Sequence, residues 1–541
     1  MHTYQKNNDL KSSSEQDLRD YLDLFIVYKL KVKEGKEMLI DTSASFQREL
    51  AGYRNQSAQQ YLIDKDVTDF LINEAFERAK LQIRASHLLI NCAYSASPKD
   101  TLAAYNKIMR IRNEILAGKD FATAAVQYSE DPSTQDRIDP QSKSMQHGNK
   151  GELGYFTALS LIYPFECGAY TTPVGQVSMP IRSQFGYHLI YVKDRVPAIS
   201  KIVVSQIFLA DSNALNSKIM PGIQAKLDTI NNALKTNDFE EIVALYSNDR
   251  ASAEQGGRLQ PFNPEQRFGD FVTAAIHIKP GEISKPVASN LGWHILRLDT
   301  LEYAQISEDE KYVLKNRIAR DSRSYKSRSS LVEKLKKEYN YEEKGKNAAF
   351  KFFNKNLNVN YFQSTNNKIE ELAGLDKLKP LCTFADQKLT AQGLAKFIAR
   401  YQGVQVNDFE AFLKEKFASF VEEEIFKYEN SRLEQKYPEF KDLVTEFHDG
   451  LMLYEMNSNE VWNKAVQDTV GLENYYEKIK TGYPVDMVAS PEDLPYKPMS
   501  EIKATVVSEY QDFLEKEWIV RLKAKYPVTI DEKVFSTLLK Q

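Results

Sequence analysis

The sequence predicts a multidomain α+β chain in which two related α+β domains lie between a helical N-terminal region and a mostly helical C-terminal region. Three observations predict it. Apolar residues recur at helical spacing near both ends of the chain. Short apolar runs of strand texture bracket helix and turn signals in the middle. The bracketed stretch then occurs a second time. At 541 residues the chain also exceeds what one hydrophobic core serves.

The first region, 1–82, reads as helical. Over 17–38, Leu18, Tyr21, Leu22, Phe25, Tyr28 and Val32 recur on one helical face; a second helix follows from about Ser45, and a third, DVTDFLINEAFERAKLQ, covers 66–82. At Ile83 the texture changes. RASHLLINCAY is strand-like, and after alternating helix and turn signals a second strand, FGYHLIYVKD, ends at Asp194, which marks an α+β domain over 83–197.

The next domain, 198–302, is a copy of it. DFATAAVQYSED at 120–131 matches DFEEIVALYSND at 238–249 with an offset of 118, whereas Gly151 and Leu153 match Gly257 and Leu259, and FGYHLI at 185–190 matches LGWHIL at 291–296, with an offset of 106. The first copy therefore carries 12 extra residues between Asp131 and Gly151. They fall in DPSTQDRIDPQSKSMQHGNKG, whose Pro, Gly, Ser and Asp content reads as a loop.

Beyond, 303–541 is mostly helical. The charged run at 307–339 reads as a helix whose charges form a solvated face. LCTFADQKL at 381–389 reads as a strand entering a helix, and helices follow around 409–437, 438–480 and 506–526, the last stopping at Pro527.

Composition excludes several classes of function. A net charge of -4 gives no electrostatic case for nucleic acid. Cys92, Cys167 and Cys382 lack CxxC spacing, so neither a zinc site nor a disulfide framework is expected, and no cofactor is called for. No apolar run reaches the roughly 18 residues of a membrane span, and the opening MHTYQKNNDLKSSSEQ is polar and reads as no export signal.

Taken singly, His87 in SHLLI and His188 in FGYHLI read as structural histidines. The ordered set SHLLI, YSED, GELGYF, PFE and SQFGYHLI over 83–197 changes that reading: it resembles the parvulin (PpiC-type) family of peptidyl-prolyl cis-trans isomerases. The resemblance implies a small antiparallel sheet with flanking helices. It places His87 and His188 as a hydrogen-bonded pair beneath the substrate bond, Asp131 as the acidic residue near them, and Ser183 as the small hydroxyl at the pocket edge. Leu153, Leu161, Phe165 and Phe185 would form the apolar slot for proline. No nucleophilic role is read for Ser183 or Cys92, since rotation about an amide breaks no bond.

In the second copy Gln206 replaces His87, Leu291 replaces Phe185 and Arg267 falls where Leu161 lay, while His294, Phe262 and Phe271 are retained. The expectation is a degenerate domain with its histidine pair broken, kept for peptide binding or spacing. Helices flanking tandem parvulin domains resemble the SurA-like periplasmic chaperones, in which both chain ends build a chaperone module. The resemblance implies an isomerase and folding chaperone for exported, unfolded or extended polypeptides containing Xaa-Pro bonds, working in a bacterial periplasm or cell envelope through its first parvulin domain. A non-catalytic holdase, or an assembly scaffold using the parvulin domains for peptide binding, are the alternatives.

Overall fold

The computed structural model describes residues 15–94, 96–138, 145–211, 214, 219–266, 269–363, 367–485 and 496–538. It divides into two compact units, one drawn from Met1–Leu62 and Lys427–Gln541, the other Ile63–Phe426. The first unit joins the two chain ends. Helices Glu15–Glu37 and Ala44–Ala58 pack with Pro438–Asn457 and Met499–Lys525 around Leu30, Val32, Phe46, Met452, Met456, Tyr510, Trp518 and Leu522. Ser43 starts the second helix by accepting the Phe46 N–H. At Gly35 an added Cβ would sit 2.3 Å from Met452 Sδ, so the side-chain-free position lets the two helices approach. Buried Lys31 is compensated by Glu515 at 2.5 Å and Asn457 at 2.9 Å, with its ammonium 4.6 Å from the Trp518 ring. The stretch read as one helix over 438–480 breaks at 468, where the Asp468 carboxylate caps a new helix by accepting the Gly471 N–H at 2.8 Å.

In the second unit, helix α1 (Lys65–Ala79) leads into strand β1 (Leu81–Asn91), so Gln82, expected at the end of a helix, lies in a strand. Nearly every β1 residue is buried, which fits a strand covered on both faces and paired along its length. The first parvulin-like domain continues with α2 (Pro98–Leu116), α3 (Phe121–Tyr128), the short strands β2 (Arg137–Ile138) and β3 (Met145–Gln146), then β4 (Glu152–Phe156), α4 (Tyr163–Thr171), β5 (Ile181–Arg182) and β6 (Gly186–Pro197). The sheet is antiparallel with order β4-β1-β6-β5. The insertion, expected as plain loop, carries the β2–β3 ribbon.

The copy repeats this plan with β7 (Ile199–Ala210), α5 (Pro221–Ala233), α6 (Phe239–Tyr246), α7 (Gly269–Ile276), β8 (Val287–Ala288) and β9 (Gly292–Tyr303), in sheet order β7-β9-β8. Its counterpart of β4 is reduced to bridges at Ser205↔Arg258 and Ile202↔Phe262. Register is conserved between the copies: Leu89 faces His188 in the first and Phe208 faces His294 in the second.

Helices α8 (Glu310–Arg320) and α9 (Ser324–Glu338) return to α1, with Leu314 and Ile318 packed on Leu71, Ala75 and Phe76. The solvated-face reading of 307–339 fails at Arg323, which is 1% exposed. The expected single strand at 381–389 is a hairpin, Cys382–Phe384 with Gln387–Leu389, turning at Ala385 with φ 45°. Among the described residues no helix is long and apolar enough to cross a membrane.

Candidate functional site

Antiparallel register sets the site. His188 lies opposite Leu89, two residues from His87, so both imidazoles emerge from one face of adjacent strands. Their rings lie nearly parallel at 23°, centroids 6.0 Å apart. His87 Nε2 is 2.9 Å from Asp131 Oδ2, and His188 Nε2 is 2.7 Å from Ser183 Oγ. The expected direct bond within the pair is not formed: neither Nδ1 has a partner among the described residues.

The flanking groups anchor the Nε2 atom of each ring. Asp131 is held below the usual carboxylate range: burial alone would raise it, but the backbone N–H and hydroxyl of Ser133 and the His87 ring outweigh that. An ionised Asp131 requires His87 Nε2–H as donor, leaving the Nδ1 of neutral His87 as an acceptor. Ser183 Oγ accepts the Phe185 N–H at 3.1 Å and shares a hydrogen bond with His188 Nε2 that either atom can donate, the hydroxyl oxygen having a second lone pair. Both rings are neutral at pH 7, because burial lowers His87 against the pull of Asp131, and burial together with His87 pushes His188 down to about 4.

That shift has a stability consequence. Between the ordinary value of 6.5 and about 4 the unfolded chain binds the proton that folded His188 refuses, so the stability conferred by the neutral ring is complete above 6.5 and lost as pH falls toward 4. The expected loss is about 3 kcal/mol. It is read as the pH dependence of the urea midpoint that disappears in His188→Gln; equal slopes in the two proteins would contradict it.

The YSED loop is fastened to β1 by Ser129 Oγ, which accepts the Leu89 N–H at 3.2 Å, and by the Glu130 N–H on Leu89 O at 2.8 Å. Gly151 passes so close that a Cβ would lie 2.4 Å from His87 O, and its φ is +85°; Gly257 repeats this against Gln206 O at 2.5 Å. Phe165, 4% exposed, stands edge-on to both rings, 5.7 Å from His87 and 5.4 Å from His188. Leu153 and Leu161 are partly buried against the cluster of Phe165, Phe156 and Ile190. Phe185 is 51% exposed at the rim. All eight predicted site residues thus come from elements packed around one sheet face.

Sequence reasoning missed what holds Phe165. The next residue, Glu166, is fully buried and accepts from Arg78 at 2.9 Å, from Arg323 at 2.8 and 3.2 Å, and from the Leu159 N–H at 2.7 Å. Neither arginine belongs to the sheet domain. The only signal was the acid within PFE, on a helix otherwise apolar toward the core.

In the second copy a bonded amide–imidazole pair stands where the first copy has two histidines. Gln206 Oε1 is 2.9 Å from His294 Nδ1, its Nε2 donates to Asp249 at 2.8 Å, and Ser289 Oγ is 2.7 Å from His294 Nε2. With the Leu291 N–H occupying a lone pair of Ser289, the chain of donors runs from Ser289 through His294 and Gln206 to Asp249. An amide supplies the N–H and the acceptor that a neutral histidine would. Arg267 lies outside the described residues, and a cleft of about 520 Å3 opens beside Leu259, Phe271, Leu291 and His294. The same logic predicts that His87→Gln leaves the first domain nearly as stable as the parent, whereas His87→Ala strands Asp131 and costs about 1–3 kcal/mol in urea unfolding; equal losses would contradict the relay.

The PPIC-type PPIASE domain, a rotamase, matches residues 87–194 and again 214–300. Both copies are therefore parvulin-type domains. Over 260 residues the chain is 28% identical to the chaperone SurA of Hahella chejuensis, covering 47% of this chain and 56% of that protein. Over 143 residues it is 37% identical to foldase protein PrsA 1 of Bacillus cereus, covering 26% and 41%. A crystal structure of the peptidylprolyl isomerase PrsA from Bacillus anthracis matches at 29% identity and TM-score 0.17, covering 25% of this chain and 59% of that one. The chain thus carries two parvulin-type domains within a stretch similar to SurA chaperones, and it spans little more than half the length of the SurA relatives it matches.

Proposed function

We propose that this chain is a peptidyl-prolyl cis-trans isomerase and folding chaperone for unfolded polypeptides, with catalysis in the first parvulin domain. The observation that carries the reading is Phe165 standing edge-on to two neutral imidazoles. Rotation about an Xaa-Pro bond crosses a barrier of about 18–20 kcal/mol because it sacrifices amide resonance. The planar amide is the more polar state, and water stabilises it most. A dry slot of Phe165, Phe185, Leu153 and Leu161 that grips the proline ring and strips water from the carbonyl therefore favours the twisted state. His87, His188, Asp131 and Ser183 form the polar floor, offering hydrogen bonds to a carbonyl or a pyramidal nitrogen.

The second domain reads as a peptide-binding partner. Clients are exported chains in a bacterial periplasm or cell envelope, a reading supported by the similarity to SurA. The test uses the full chain and a short Xaa-Pro peptide. Phe185→Ala, at the exposed rim, is expected to lower kcat/KM about tenfold with unchanged thermal stability. Binding without acceleration by the folded parent would favour a holdase instead.

A further inference from the structure

A second cleft, of about 410 Å3, lies between the two parvulin domains. One wall is Leu153, a slot residue, with Asn149 and Lys150 from the end of the insertion that the second domain lacks; the facing wall includes Asp270, Ser289 and Asn290. Leu153 packs with Phe165 in the first site. Ser289 is the hydroxyl bonded to His294 and also lines the second domain's own cleft. The cleft therefore borders a residue of each site.

Its walls are held firmly. Arg84, 6% exposed, reaches Glu152 at 3.1 Å and Asp270 at 2.7 Å, Tyr155 Oη meets Thr273 Oγ1 at 2.8 Å, and His277 meets Asp194 at 3.0 Å. The charges do not balance: Arg84, Lys193 and Lys150 line a cleft whose carboxylates are Glu152 and Asp270. Arg84 pairs with both acids and Lys193 with Glu152. Lys150 is exposed and forms no ion pair within 4.0 Å among the described residues; the carboxylate that acts on it, Asp136, is shared with His147 and the Gly148 N–H, so Lys150 still offers a positive charge to whatever lies in the cleft.

We propose that one extended client segment occupies both parvulin domains at once. Its proline sits in the slot of the first domain, an acidic side chain lies against Lys150 in the intervening cleft, and an apolar residue reaches Leu259 and Phe271 in the second domain. This rests on the slot reading given above. It assigns the insertion a purpose, the building of a wall between the sites, and it makes the second domain a second anchor for the same chain.

The experiment measures binding of a set of fluorescent probes to the full chain by anisotropy. One is a tetrapeptide with a single Xaa-Pro bond; the others, of about twelve residues, extend the same bond toward either terminus with glutamate at successive positions. One long acidic probe is expected to bind at least about tenfold tighter than the tetrapeptide, because the second contact is intramolecular. Lys150→Glu and Asn290→Glu, both at exposed positions, are each expected to weaken that probe about fivefold while leaving tetrapeptide binding and isomerisation unchanged. Equal affinity of long and short probes overturns the proposal, as does a long-probe affinity indifferent to both variants. Charge-sensitive binding of the long probe with no isomerisation of the tetrapeptide overturns the isomerase reading and leaves the two-domain segment standing.

Discussion

Arg323→Ala is expected to destabilise the unit that holds the parvulin domains by about 3–5 kcal/mol, although the residue lies over a hundred positions beyond the site it supports. Both Arg323 and Glu166 have fully buried side chains, and their two hydrogen bonds of 2.8 and 3.2 Å replace the hydration each lost. Burial alone would lower Arg323; the hydrogen bond and charge of Glu166 outweigh it, so the guanidinium keeps its proton more firmly than usual. Removing it leaves a carboxylate in the interior with Arg78 as its remaining cation. Urea unfolding at neutral pH reads the effect, and a loss below about 1 kcal/mol would refute it. Glu166→Leu is expected to be destabilising as well, since it leaves Arg323 with Asp321 as its partner at 2.9 Å and removes the acceptor of Arg78.

Phe165→Ala is expected to cost about a hundredfold in kcat/KM for Xaa-Pro isomerisation, or about 2.7 kcal/mol of transition-state stabilisation. Its ring stands edge-on to both histidines, so truncation both shortens the grip on proline and admits water to the carbonyl. The side chain is also core, and about 3–5 kcal/mol of stability goes with it. Activity is therefore compared at a temperature where unfolding curves show both proteins folded, and a loss that tracks the unfolded fraction would mean a structural role only.

Local pattern carried much of this structure. SHLLI and FGYHLI announced two strands with one histidine each, and the fixed period of a strand placed both rings on one face. Gly151 and Gly257 marked the same tight passage in each copy, because only glycine tolerates the carbonyl beyond it. What local pattern could not show was anything decided by a distant partner. Arg323 sits in a run of charges that looks solvated, and only tertiary packing against Glu166 makes it core. Gln206 looked like the loss of a site, yet an amide and a neutral imidazole present the same donor and acceptor to His294 and Asp249. The hydrogen bond expected between His87 and His188 failed for the opposite reason: Asp131 and Ser183 claim the Nε2 atoms and set the ring positions.

The central claim is that the first domain turns over Xaa-Pro bonds. Exchange NMR on a short Xaa-Pro peptide with a small amount of the full chain tests it most directly, since uncatalysed interconversion takes tens to hundreds of seconds. The account predicts exchange broadening of the proline resonances with the parent protein and its near disappearance with folded Phe165→Ala. Unchanged uncatalysed exchange in the presence of the folded parent, or undiminished exchange with the variant, would contradict it.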